Sequence, residues 1–150
     1  MNKTFERCPW PAGKPNDTKY HDEEWGVPVH DDRKLFEFIV LDGFQAGLSW
    51  STILNKRENF RKAFDNFNAF EISLYDEKKI EELLKNKGII RNQLKIRSTI
   101  TNAKHFLKAQ KEFGSFNTYI WQFTGGKTKI NRWQKHSQIP VSTPESDAMS

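Results

Sequence analysis

Cysteine is almost missing from this chain: Cys8 is the only one. A single thiol excludes an internal disulfide, and with it the stapled frameworks of small secreted domains, and it fits a reducing cytoplasm. No apolar run approaches the roughly 18 residues that a membrane-spanning helix needs. The opening Met1-Asn2-Lys3-Thr4-Phe5-Glu6-Arg7 lacks the apolar stretch of a signal peptide. Repeats and low-complexity tracts are also lacking. So are a Ser-His-Asp series and a phosphate-binding glycine loop, since Gly125-Gly126-Lys127 has the wrong spacing and reads as a basic turn. These absences point to one domain over residues 1–150, cytoplasmic, with no membrane contact and no organic cofactor.

Aromatic residues and unevenly distributed charge are what the chain does have. Hydrophobic residues make up 36% of it and aromatics 13%, with five Trp and twelve Phe, so rings must build much of a modest core. The net charge of +5 divides sharply. Residues 1–75 carry 10 Lys and Arg against 12 Asp and Glu, whereas residues 76–150 carry 14 against 7. The stretch 85–135 holds 12 basic residues and one acid, Glu112. Such a run attracts a polyanion, nucleic acid above all; the competing reading is an ordinary lysine-rich surface.

The apolar periodicity is helical throughout and predicts an all-α fold. Residues 5–28, with their prolines and glycines, read as an extended arm. Asp31 or Asp32 caps a helix to about residue 42, with Leu35, Phe36, Ile39 and Val40 inward. A second helix runs from near Ser49 to Phe64, and a short one covers 70–74. Asp76 caps the next, which ends before Gly88. A long helix over about 91–112 turns Leu94, Ile100, Ala103 and Leu107 to one side and stops at Gly114. Ser115 caps a short helix carrying Tyr119 and Trp121. Residues 125–142 read as loop. The end, Thr143-Pro144-Glu145-Ser146-Asp147, is a strong helix start, yet fewer than two turns follow, too few to be stable alone. Either that helix docks on the core or the fold extends beyond it.

Asp42 stands out because it follows an apolar helical run and precedes Gly43 and Gly47. It reads either as a local backbone cap or as a carboxylate at the edge of an aromatic pocket. Trp10, Tyr20, Trp25 and Trp50 lie in the same third of the chain. Brought together they would form a slot for a flat cationic ring, held by stacking and cation–π attraction; filling of the core is the plainer alternative. Cys8 and His21 offer two donors suited to Zn2+, while His30, His105 and His136 show no ligand spacing.

Glu6-Arg7-Cys8-x-Trp10, Tyr20-His21-Asp22-x-Glu24-Trp25-Gly26-Val27-Pro28, Gln45-Ala46-Gly47-Leu48-Ser49-Trp50, Lys56-Arg57-Glu58-Asn59, Gly88-Ile89-Ile90-Arg91, Ile139-Pro140 with Ser142-Thr143, and Ser146-Asp147-Ala148 follow one another in this order. Together they closely resemble the DNA-3-methyladenine glycosylase I family of bacterial base-excision repair enzymes. The resemblance covers almost the whole chain. It implies a helix-hairpin-helix glycosylase-like helical domain that flips an alkylated purine out of double-stranded DNA and hydrolyses its N-glycosidic bond. It implies stacking on the base by Tyr20 and Trp50, with Trp10 and Trp25 completing the wall. Asp42, the implied catalytic residue, stands where the family usually has a glutamate, one methylene or roughly 1.5 Å longer. Gly43 and Gly47 would let backbone approach the base. The resemblance also implies a zinc that ties the termini together. Cys8 and His21 match two of the family's four metal ligands, and the family's C-terminal segment, which supplies the other two and a DNA-gripping hairpin, has no counterpart here, so the domain is expected to be truncated.

Two functions follow as expectations. One is a monomeric, monofunctional glycosylase, since no lysine stands out as a Schiff-base nucleophile. The other is a non-catalytic DNA- or purine-binding remnant of that family.

Overall fold

The computed structural model describes residues 10–11 and 13–150, and these contain helices and no strand. Eight α-helices are present among them: α1 (Pro15–Glu23), α2 (Asp32–Gln45), α3 (Trp50–Ala63), α4 (Ala69–Ser73), α5 (Glu77–Lys85), α6 (Gln93–Phe113), α7 (Phe116–Trp121) and α8 (Pro144–Met149). The expected all-α class is therefore correct.

Most helix starts follow directly from side-chain chemistry. Asp31, Ser49, Asn68, Asp76, Asn92, Ser115 and Thr143 each accept a hydrogen bond from a backbone N–H in the first turn of the helix that follows. Those N–H groups have no partner within the helix, and each cap contributes about 1 kcal/mol. Gly114 ends α6 with φ +84°, a left-handed conformation that glycine adopts without strain.

The core lies between α2, α3, α4 and α6. Phe36, Val40, Leu41 and Phe44 of α2 meet Ile53 and Phe60 of α3, Phe64 and Phe67 beyond it, Ile72 of α4, and Ile96, Ala103 and Phe106 of α6. Phenylalanine rings form its backbone. Phe44 lies 4.7 Å from Phe60, Phe36 lies 4.8 Å from Phe106, and Phe106 stacks on Phe116 at 4.3 Å. Asp32 locks α7 into place: its carboxylate accepts from the Phe116 and Asn117 amides at 2.9 and 2.7 Å and from Gln110 Nε2 at 2.6 Å.

Three features differ from the sequence reading. The supposed extended arm contains α1, which starts with Pro15 in its first turn and has Asp17 there to complement the helix dipole. Helix α2 continues past Asp42 to Gln45, so Gly43 is helical. Leu94 points outward, 75% exposed, because α6 buries the stripe of Ile96, Thr99, Ile100, Ala103 and Phe106 instead. At the chain's end α8 forms with a reciprocal capping box between Thr143 and Ser146. It docks on the 3-10 turn Gln122–Thr124 rather than entering the core, and buries none of its residues.

Candidate active site on three helices

Tyr20, Asp42 and Trp50 sit on α1, in the last turn of α2 and at the first position of α3. The rings of Tyr20 and Trp50 meet edge to face at 5.3 Å, and Phe38 lies 6.4 Å beyond Tyr20. Trp50 is half-buried, and its indole Nε1 is buried without an acceptor among the described residues. Tyr20 also borders a cleft of about 280 Å³ between α1 and α3.

Asp42 forms no hydrogen bond or ion pair with its carboxylate among the described residues. Although the residue is exposed at the surface, surrounding protein withdraws enough water from the carboxyl to push its pKa above the ordinary aspartate value. No cation among the described residues offsets that desolvation. Asp42 is close enough to Tyr20 for its charge to matter. Burial raises the Tyr20 pKa first, the negative charges of Asp42 and Glu24 raise it further, and Arg57 opposes them. The site thus presents a carboxylate without a partner among the described residues, close to Tyr20, whose ring meets Trp50.

Trp10 and Trp25 belong to a second cluster. They lie 6.1 Å apart; His21 stacks on Trp25 at 5.4 Å and meets Trp10 edge-on at 5.2 Å. Tyr20 and His21 are neighbours on α1 and face different ways. No ring contact joins the two clusters among the described residues.

The space beside both glycines is free of protein atoms. A Cβ built at Gly43 or Gly47 would meet nothing within 4 Å. Gly47 is required by its φ of +79°, which turns the chain from α2 to α3. Lys95 fixes that turn from α6: its Nζ donates to the Phe44 and Ala46 carbonyls at 2.7 and 2.6 Å. Lys95 therefore leaves the cationic run of 85–135 as a structural residue. Arg97 pairs with Glu77, and Lys129 with Glu145. Lys87, Arg91, Lys104, Lys108 and Lys111 are exposed and carry no partner among the described residues.

The zinc expectation gains no support. Cys8 lies outside the described residues. His21 Nδ1 contacts Asp22 Oδ1 at 3.0 Å, and no group of three or more His, Cys, Asp or Glu able to hold a metal exists among the described residues. Two donors do not make a tetrahedral site.

Sequence reasoning missed the polar cluster behind Tyr20. Arg57 donates from Nε to Glu37 at 2.5 Å and from Nη1 and Nη2 to the two Glu24 oxygens at 2.7 and 2.9 Å. Arg61 donates to the same Glu37 oxygen, and Lys34 pairs with Glu24 at 2.8 Å. Glu37 and Arg57 are 6% and 7% exposed. Burial alone would raise the Glu24 pKa, but the hydrogen bonds and charges of Arg57 and Lys34 outweigh it and hold it at about 2. The available signal was that Glu24 and Arg57 both fall in the motif blocks, although spacing does not show that they meet.

The family model described as methyladenine glycosylase matches residues 10–150. DNA-3-methyladenine glycosylase 1 of Escherichia coli K12 is 42% identical over 146 residues, covering 97% of this chain and 78% of that protein. DNA-3-methyladenine glycosylase of Haemophilus influenzae is 40% identical over 144 residues, covering 96% and 78%. A crystal structure of 3-methyladenine DNA glycosylase I superposes with a TM-score of 0.89 at 46% identity, over 96% of this chain and 79% of that one. The Staphylococcus aureus 3-methyladenine DNA glycosylase I, whose structure concerns 3-methyladenine recognition, gives 0.90 at 29% identity, over 95% and 76%. Matched in sequence along nearly its whole length and in fold on the same helices that carry Tyr20, Asp42 and Trp50, the chain belongs to the methyladenine glycosylase family.

Proposed function

We propose that the chain is a DNA base-excision repair glycosylase that removes 3-methyladenine from alkylated double-stranded DNA. The observation that carries this reading is a carboxylate, Asp42, with no partner among the described residues and close to Tyr20, whose ring meets Trp50, in a family whose curated relatives are DNA-3-methyladenine glycosylases. A purine alkylated on a ring nitrogen is cationic while bonded to the sugar. Aromatic faces favour such a ring over neutral adenine, and a carboxylate complements its charge and accepts from its exocyclic amine.

The chemistry asks little of the protein because the cationic base is already a good leaving group. The bond from the sugar C1′ to the ring nitrogen breaks, and its electron pair neutralises the base. Water adds at C1′ and loses a proton to solvent, leaving an abasic site. Asp42 orients the base and steadies positive charge as it passes to the sugar. Tyr20 and Trp50 hold the flipped ring, which must leave the duplex to be reached. Lys87, Arg91, Lys104, Lys108 and Lys111 supply phosphate contacts, which give affinity and salt dependence without base specificity. No step runs through a metal.

The test is release of free 3-methyladenine from alkylated duplex DNA. Release at a rate above spontaneous depurination supports the reading. Binding of alkylated DNA with no abasic sites formed would assign the chain instead as a non-catalytic purine-binding member of its family.

A further inference from the structure

Helix α1 is held in an unusual way. Its one fully buried residue is Asp17, and its main ring packing is the half-buried Tyr20 against Trp50 and Phe38. Directional polar contacts add to this: Ser51 Oγ donates to Asp17 at 2.5 Å, Asn16 pairs with Asn55 at 2.7 Å, and Glu24, just past the helix end, takes the two-pronged fork of Arg57. Hydrophobic burial fixes no preferred orientation, whereas a planar guanidinium bonded to both oxygens of a carboxylate does.

Arg57 is the residue common to all three helices of the site. It belongs to α3, grips Glu24 at the end of α1, and donates to Glu37 of α2. Its guanidinium also lies over the Phe38 ring at 5.4 Å, with Lys34 at 5.2 Å from the same ring, and Phe38 in turn meets Tyr20. We propose that Arg57 is a positioning residue for base excision, setting the distance and tilt of Tyr20 relative to Trp50 and Asp42 through Glu24, Glu37 and Phe38. This rests on the excision reading above and adds to it a residue that never touches the base. Lysine retains the charge but not the fork, so Arg57→Lys is not conservative here.

The experiment uses the full chain with Arg57→Lys, Arg57→Met and Glu24→Gln, each checked for cooperative thermal unfolding. Three quantities are read: the single-turnover rate of 3-methyladenine release from alkylated duplex DNA, the duplex affinity, and the NMR shifts of the Tyr20 ring, which sits edge-on to Trp50. Displacement of a site residue by about 1 Å lowers rates by up to roughly 100-fold. The expected result is Arg57→Lys folded cooperatively, its rate lowered at least about tenfold, its duplex affinity within about twofold of wild type, and its Tyr20 shifts moved. Glu24→Gln gives the same pattern with a smaller change. If Arg57→Met does not fold, the other two variants decide. Wild-type rate and unmoved Tyr20 shifts in Arg57→Lys would overturn the proposal. So would rates that fall only in step with thermal stability while Tyr20 stays in place. If the wild-type chain itself releases no base, the excision reading fails, and the Tyr20 shifts still decide whether Arg57 positions that ring.

Discussion

Replacing Lys95 with methionine separates structural charge from DNA-binding charge in the basic half of the chain. Methionine retains much of the apolar stem and removes the ammonium that donates to the Phe44 and Ala46 carbonyls. A hydrogen bond involving a charged group contributes about 1.5–3 kcal/mol net, and the Phe44 carbonyl is the less exposed of the two. The exposed Ala46 carbonyl can turn to water, so its loss costs only about 0.5 kcal/mol. A cation at the C-terminal end of α2 adds about 0.3–1 kcal/mol through the helix dipole. The sum is about 2–4.5 kcal/mol, which for a chain of this length lowers Tm by roughly 5–18 °C. Lys104→Met is the control, an exposed lysine with no partner among the described residues, expected to change stability by less than about 0.5 kcal/mol. Urea and thermal denaturation measure both variants. Duplex affinity is then measured across salt concentrations, where each lost phosphate contact reduces the log–log slope by about 0.9. Lys95→Met should leave that slope unchanged. Unchanged stability together with a shallower slope would refute the argument and return Lys95 to the DNA-contacting set.

Acid should weaken the fold through Glu24. Its carboxyl is held at about 2, against an ordinary 4.5, so its stabilising share is complete above about pH 4.5 and lost as the pH falls toward 2. Allowing for solvent screening, that share is on the order of 1–2 kcal/mol, and the difference in urea midpoint between wild type and Glu24→Gln should vanish across this window. Asp32→Ala removes three hydrogen bonds to one carboxylate and should cost about 3 kcal/mol, with faster amide hydrogen exchange at Phe116 and Asn117 than in the body of α6. Asp42 must be ionised to complement a cationic base, and desolvation raises its pKa. The single-turnover excision rate should therefore rise with pH through a value above the ordinary aspartate range, and a flat profile would count against its role.

The helices and their ends were legible because capping is local chemistry. Asp31, Ser49, Asp76, Ser115 and Thr143 mark starts that a few neighbouring residues determine. Helix α1 was not legible: flanking prolines and glycines suggested an arm, and the contacts that hold it reach 33 to 39 residues along the chain. Leu94 misled because a helix of this length admits more than one apolar stripe, and packing against α2 and α4 selected the one through Ile96 and Ala103. At the site, the motif blocks hold Tyr20 and Trp50 but not Asp42, and sequence spacing does not show which rings meet. Nor could charge counting show that Lys95 and Arg97 are already engaged, because that depends on which carbonyl or carboxylate the fold brings within reach.

The most direct measurement compares wild-type and Asp42→Asn chains for release of free 3-methyladenine from alkylated duplex DNA, with duplex affinity measured in parallel. The amide is nearly isosteric but cannot supply the negative charge. The account predicts similar duplex affinity and a single-turnover rate lowered by about 100-fold or more, in the range found on removing one electrostatic stabiliser. Equal rates for the two chains would contradict the claim that the Asp42 carboxylate steadies the charge that develops during excision.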